Sequence, residues 1–217
     1  MSEADTCRQY VVTKLQAAGW EREPHSIAEQ RTIADGRIVL TDKGSRRRKK
    51  KRADYILRYT RDFPIAVVEA KPSNTEAITG LQQAKEYAEI LGLKFAYATN
   101  GVAILEHDYT TGQVTRLDTF PAPEVLWARL CADQGIEDEQ LAEMLLSPFN
   151  LASGRTPRYY QEVAIYRVVL AILQGQKRML LTMATGTGKT ITAFQICWKL
   201  WNSRWNREGE YRRPKIL

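Results

Sequence analysis

Ile65-Ala66-Val67-Val68 runs without a break into Glu69-Ala70-Lys71. A strand that is apolar at every successive position has both faces covered, so it belongs inside a sheet with helices packed against it. A carboxylate and an amine at the end of such a strand stand where an open α/β sheet places its chemistry. The expectation is an α/β domain with a site at the C-terminal end of a central strand.

The rest of the chain reads around that strand. Residues 3–18 place Cys7, Tyr10, Val11, Leu15 and Ala18 on one helical stripe, and Gly19 stops it. Residues 31–33 and 37–40 read as strands about a turn at Ala34-Asp35-Gly36. Residues 53–59 alternate, apolar at Tyr55 and Leu57, and turn through Arg61-Asp62-Phe63-Pro64 into the apolar strand. Residues 75–91 read as a helix with Ile78, Leu81, Ala84, Ala88 and Leu91 toward the core and Gly92 behind it. Residues 94–99 and 102–106 read as a strand pair about Asn100-Gly101, a strong hairpin signal, and residues 114–117 as a further strand.

Residues 1–120 are therefore expected to form one domain. Residues 121–156 change character: Pro121, Pro123, Ser147-Pro148 and Ser153-Gly154 surround an acidic helical stretch at 137–146, as in a linker with short helices. Residues 157–217 read as a second unit. Pro157 suits a first helical position, 158–174 a helix closed by Gly175, 179–183 an apolar strand, 184–190 a glycine-rich loop and 191–201 a helix.

The 217-residue chain can hold one large domain or two small ones, and its 44% hydrophobic and 26% charged content exclude a wholly disordered protein. The net charge of +7 is largely local. Arg46, Arg47, Arg48, Lys49, Lys50, Lys51 and Arg52 form an unbroken cationic run after Gly44-Ser45, expected to be a mobile loop that contacts phosphates. A merely solvated loop is the plain alternative. Cys7, Cys131 and Cys197 have no CxxC spacing and the only histidines are His25 and His107, so neither a disulfide framework nor a zinc site is expected. Buried, reduced thiols in a cytoplasmic protein fit this usage. No signal peptide or membrane-spanning run is present in the sequence.

Asp54 lies on the strand that precedes the apolar one. The hairpin places it near Glu69, and the repulsion of two such carboxylates is relieved by a divalent cation. Mg2+ suits them, being hard and oxygen-seeking while keeping waters for chemistry. Lys71, two residues beyond Glu69, shares its face of the strand and can hold an attacking water or stabilise developing charge. Phosphodiester cleavage needs those parts. A surface ion pair involving Lys71 is the plain alternative. Gln83 and Tyr87, at i and i+4, share one helical face beside the apolar stripe and could reach the site or a DNA backbone, or be an ordinary helix flank.

Ala184-Thr185-Gly186-Thr187-Gly188-Lys189-Thr190 follows a strand and opens a helix. Glycines let backbone amides approach phosphate, and the helix N-terminus favours negative charge. Lys189 would reach the β- and γ-phosphates of ATP, Thr190 would ligate magnesium, and Gly186, Thr187 and Gly188 would form the cradle. Met183 stands where the general pattern has glycine.

Asp54 with Glu69-Ala70-Lys71 resembles the D…ExK motif of the PD-(D/E)XK nucleases, with Ala53 in place of proline. Gln83-Ala84-Lys85-Glu86-Tyr87 resembles the Gln-x-x-x-Tyr motif of the restriction (motor) subunit of type I restriction-modification enzymes. Residues 3–8 and 15–20 look like the opening of that family. Met183 to Thr190 reads as the loop of superfamily 2 helicases, and Arg158-Tyr159-Tyr160-Gln161 resembles their adenine-recognising glutamine motif. The resemblance implies a restriction-endonuclease-like mixed sheet with flanking helices, followed by the truncated start of a RecA-like P-loop domain. It implies Gln161 on adenine, and a metal-site glutamate on the first helix, Glu3 or Glu21, with Glu3 preferred. It implies an endonuclease component that works on double-stranded DNA with modification and specificity subunits, using Mg2+ and ATP.

A second reading of the residues is a superfamily 2 translocase whose front domain binds DNA without cutting it. A third is an interaction domain that recruits nucleic acid by charge alone. The Asp-Glu box, second lobe and arginine finger of the motors do not occur in the sequence, so the chain is expected to be a fragment that does not itself hydrolyse ATP.

Overall fold

The computed structural model describes residues 7–34, 38–41, 44–47, 51–137, 139–152, 154, 156–206 and 212–214. The chain divides into two compact units, Met1–Leu130 and Cys131–Leu217.

The first unit is built on a six-stranded sheet in the order β1-β4-β5-β6-β7-β8, from β1 (Ser26–Ala34), β4 (Lys51–Thr60), β5 (Phe63–Ala70), β6 (Phe95–Thr99), β7 (Ile104–Asp108) and β8 (Gln113–Leu117). The apolar strand is β5, inside the sheet between β4 and β6, with Ile65, Ala66, Val67 and Val68 all buried. Neighbours pair antiparallel except β5 and β6, which are parallel. Parallel strands need a crossover, and the helix α2 (Ile78–Leu91) supplies it. Before the sheet, a π-helical turn at Cys7–Val12 runs into α1 (Thr13–Ala17), which buries Val11 and Leu15, and Gly19 takes φ +97° where the chain reverses. Tyr10 is 40% exposed, so the expected stripe is narrower than the spacing implied.

Register decides which residues share a face. Val68 pairs with Tyr97 and Tyr97 with Glu106, whereas Glu69 pairs with Ala98. Tyr97 and Glu106 therefore lie on the face opposite Glu69. α2 covers the Glu69 side. The other side receives α3 (Pro123–Gln134), whose Leu126 is fully buried and whose Trp127 stacks on Tyr59 at 4.8 Å between ring centroids. Arg129 donates to both oxygens of Glu106, at 3.1 and 2.7 Å, and to Asp108 at 2.6 Å, while Tyr97 donates its hydroxyl to Glu106. Burial and the neighbouring Glu106 push the Tyr97 hydroxyl well above its usual pKa. Burial would raise Asp108, but hydrogen bonds from Arg129 and Thr110 hold it below the usual carboxylate range.

Several expectations are corrected. The cationic run is not simply a loop: Arg46 and Arg47 belong to β3 (Gly44–Arg47), paired with β2 (Ile38–Thr41), and Lys51 and Arg52 open β4. Side-chain charge does not prevent the backbone from joining a ladder. Arg48, Lys49 and Lys50 lie outside the described residues. The helix starts at Ile78 rather than residue 75, and Ile78 is 51% exposed. Two residues on, Gly80 lies over Lys71 and Glu69 at the end of β5, whereas the Ile78 side chain faces solvent. Tyr87 is not beside the buried face but part of it, at 5% exposure. Its ring is apolar enough to be buried once its hydroxyl has a partner.

In the second unit, α4 (Glu139–Leu146) precedes α5 (Tyr159–Leu173) and α6 (Lys189–Asn202). Pro157 precedes the Arg158 cap rather than occupying the first helical position. Residues 179–183 are not in a strand, and Leu180 is 94% exposed. A strand exists only by pairing, and among the described residues no neighbour offers these amides a ladder. Cys131 and Cys197 are free but only half-buried, unlike the buried thiols expected; Cys7 has no described side-chain environment. Among the described residues no helix is long and apolar enough to cross a membrane.

Candidate active site and phosphate loop

The antiparallel register Tyr55↔Val68 and Ile56↔Val67 carries Asp54 of β4 opposite Glu69 of β5. The half-buried Asp54 accepts a hydrogen bond at Oδ2 from the Ala70 backbone N–H, 2.8 Å away. Glu69 is 2% exposed, and Lys71 Nζ donates to its Oε1 at 2.9 Å. Lys71 Nζ also donates to Gln83 Oε1 at 3.1 Å, and Gln83 Nε2 donates to the Tyr87 hydroxyl at 2.8 Å. Glu69, Lys71, Gln83 and Tyr87 thus form one hydrogen-bonded chain between the end of β5 and α2, and Asp54 of β4 is bonded to the β5 backbone at Ala70, next to Glu69. The amine is oriented by a carboxylate at the end of β5 and an amide on the helix above, so its position does not depend on one flexible stem.

Of the two glutamates expected to complete the metal site, only Glu21 is among the described residues. Glu3 lies outside the described residues. Glu21 is exposed in the turn after α1, where it accepts from Gln16 Nε2 at 2.6 Å. Among the described residues no cluster of three or more histidine, cysteine, aspartate or glutamate side chains gathers. The carboxylate pair of Asp54 and Glu69 remains, and its hard oxygens suit a hard divalent cation.

Gly80 belongs to the site and was not anticipated. A Cβ there would lie 3.2 Å from both Cγ and Cε of Lys71 and 3.4 Å from Cγ of Glu69. Glycine inside a helix costs about 1 kcal/mol relative to alanine, and that cost was the available signal of a close approach. Here the absent side chain lets α2 lie directly on the lysine stem.

In the second unit, Gly186 and Gly188 take φ +78° and +85°, a left-handed region open to glycine at no steric cost. Gly188 caps α6, which begins at Lys189. Thr187 Oγ1 donates to the Ala184 carbonyl at 2.6 Å, and Lys189 and Thr190 are exposed. Gln161 is buried, its Oε1 accepting from Arg158 N–H at 2.9 Å and its Nε2 donating to the Thr187 carbonyl at 2.8 Å. A Cβ on Gly188 would stand 2.3 Å from Gln161 Nε2. The side chain read as an adenine contact therefore braces the loop in this structure. A cleft of about 630 Å³ beside the loop is lined by residues that include Tyr160, Arg167, Leu181, Ala184 and Thr187.

The family model described as type I restriction enzyme R protein N terminus matches residues 25–121. That described as type III restriction enzyme, res subunit, matches residues 155–211. The chain corresponds to the N-terminal region of a type I restriction enzyme R subunit. It is 39% identical over 211 residues to the endonuclease subunit of the EcoAI enzyme of Escherichia coli, an alignment covering 94% of this chain and 26% of that one. It is 30% identical over 197 residues to the EcoKI endonuclease subunit of strain K12, covering 70% and 17%. A solved fragment assigned as an HsdR subunit of a type I restriction enzyme from Vibrio vulnificus YJ016 is 58% identical and superposes with a TM-score of 0.90. That match covers 99% of this chain and 41% of the other. The chain therefore spans about a quarter or less of the two Escherichia coli subunits. The mixed sheet with flanking helices is the architecture expected from the resemblance.

Proposed function

We propose that the first unit is the DNA-cleaving domain of a type I restriction R subunit, with Asp54, Glu69 and Lys71 as its centre. The observation that carries this reading is the register that sets two carboxylates opposite each other on adjacent strands, with an ammonium 2.9 Å from one of them. Asp54 and Glu69 would hold Mg2+, which when bound polarises the phosphodiester and lowers the pKa of a coordinated water. Lys71, aimed by Glu69 and Gln83, donates hydrogen bonds to the oxygen on which negative charge develops. Gln83 holds that donor in place and Tyr87 holds Gln83. This chemistry acts on the phosphate backbone and needs no base edge, which suits cleavage directed by other subunits. Double-stranded DNA and the modification and specificity subunits are the partners of this reading.

The second unit supplies a phosphate cradle for ATP through Gly186, Thr187, Gly188, Lys189 and Thr190, with Gln161 against the loop. In the whole subunit this would drive movement along DNA. The test is nicking of supercoiled plasmid by the purified chain with and without Mg2+, alongside Asp54→Ala. Metal-dependent nicking that vanishes in the variant supports a nuclease. DNA binding of equal strength in both proteins, with no nicking by either, favours a domain that only binds DNA.

A further inference from the structure

The Asn100-Gly101 turn is tied to the segment that follows β5 as well as reversing the chain. Asn100 Oδ1 accepts from the N–H groups of Val102 and Ala103, at 3.1 and 2.9 Å, which closes the β6–β7 turn. Its Nδ2 does something a turn does not need: it donates to the Thr75 carbonyl, 2.9 Å away and 25 residues back in the chain. Thr75 lies between Lys71 and α2. The other end of that segment is tied to the same turn, because the Lys71 N–H donates to the Thr99 carbonyl at 2.8 Å. Thr99 is fully buried, and its hydroxyl donates to Ala103 and accepts from Gly101 N–H, so the anchor is itself fixed.

The segment from Lys71 to Thr75 is thus pinned at both ends by consecutive residues, Thr99 and Asn100. What it positions is the start of α2, whose Gly80 lies on the Lys71 stem and whose Gln83 receives its ammonium. We propose that Asn100 is a positioning residue for Lys71, acting through Thr75 and the first turns of α2. This rests on the nuclease reading of the site. A side-chain amide is required because the position needs an acceptor for the turn and a donor for Thr75 in one group.

Asn100→Asp separates the two tasks: it keeps the acceptor and removes the donor. The experiment follows Lys71 itself by mass spectrometry, as the rate of acylation of its amine by a small reagent across pH 7 to 9, and in parallel the Mg2+ concentration for half-maximal nicking. In Asn100→Asp, Lys71 should be acylated several-fold faster and nicking should fall about tenfold with unchanged affinity for DNA, since small misplacements of a catalytic group are costly. Acylation at the wild-type rate would overturn the proposal. The acylation arm does not depend on cleavage, so absence of nicking in the wild type would count against the nuclease reading alone. For the unmodified chain, the Asn100 side-chain amide protons should exchange slowly by NMR. Exchange as fast as in an exposed asparagine would overturn the proposal without any variant.

Discussion

The two candidate sites of this chain are held in opposite ways. In the first unit the charged side chains sit at the end of a strand paired on both sides, and Glu69 is 2% exposed. In the second, the glycine-rich loop follows a segment outside any strand in which Met179, Leu180 and Leu181 are 40%, 94% and 42% exposed, and its own Lys189 is exposed. One site is built by tertiary packing, the other mostly by backbone conformation at two glycines and one glutamine brace. The difference teaches that a motif can be complete in sequence while its surroundings supply very different support.

The largest expected effect tests whether the two sites are separable. Lys71→Ala should reduce metal-dependent nicking by about 10²–10³-fold, as loss of a charge-stabilising donor does, with an unchanged circular dichroism spectrum. Lys189→Ala should leave nicking untouched and weaken ATP binding by the chain, read by equilibrium titration. Equal losses of nicking in both variants would break the comparison.

Next comes the opposite face of the sheet. Arg129→Met removes the partner of Glu106 and Asp108, which have side-chain exposures of only 6% and 7%. Breaking a buried pair costs about 3–5 kcal/mol; with Arg129 itself 30% exposed, a loss nearer about 2 kcal/mol is expected in urea denaturation of the first unit. A change below about 0.5 kcal/mol would mean that α3 is held by its apolar contacts alone.

A smaller effect concerns pH. Burial, followed by the charge of Lys85, lowers the pKa of His107, whose ring packs edge-on to Tyr109 at 4.4 Å. The folded protein therefore favours the neutral ring. The unfolded chain binds the proton near its ordinary value of about 6.5. Stability from this group is present above that value and declines as pH falls through it toward the lower folded value. His107→Phe should flatten the dependence of unfolding free energy between pH 8 and 5; an unaltered slope would remove His107 as its cause. The smallest effect should be at Leu180. Leu180→Ser should move stability by less than about 0.5 kcal/mol, because so exposed a side chain has little packing to lose. A larger loss would show that residues 179–183 are packed in solution.

Local signals were legible wherever the physics is local. The apolar run specified β5 because a continuous hydrophobic stretch has no polar face to solvate. Glu69 and Lys71 shared a face because strand side chains alternate. The loop glycines were legible because only glycine enters the left-handed region without penalty. The exposure of Ile78 was not legible, since helical spacing says which residues align but not where the sheet beneath them ends. The strand at 179–183 failed for a related reason: apolar composition proposes an extended segment, but pairing requires a partner.

The sequence by itself determined the spacing Glu69-x-Lys71, the interior strand that leads into it and the glycine pattern of the loop before α6. These depend on neighbours a few residues apart. Only the tertiary structure decided that Asp54 meets the Glu69 strand at Ala70, that Gly80 rests on Lys71, that Gln161 braces Thr187 and that Asn100 reaches back to Thr75. Each of those contacts joins residues separated by turns, helices or whole strands. Their formation is set by register and packing, which no short stretch of sequence contains.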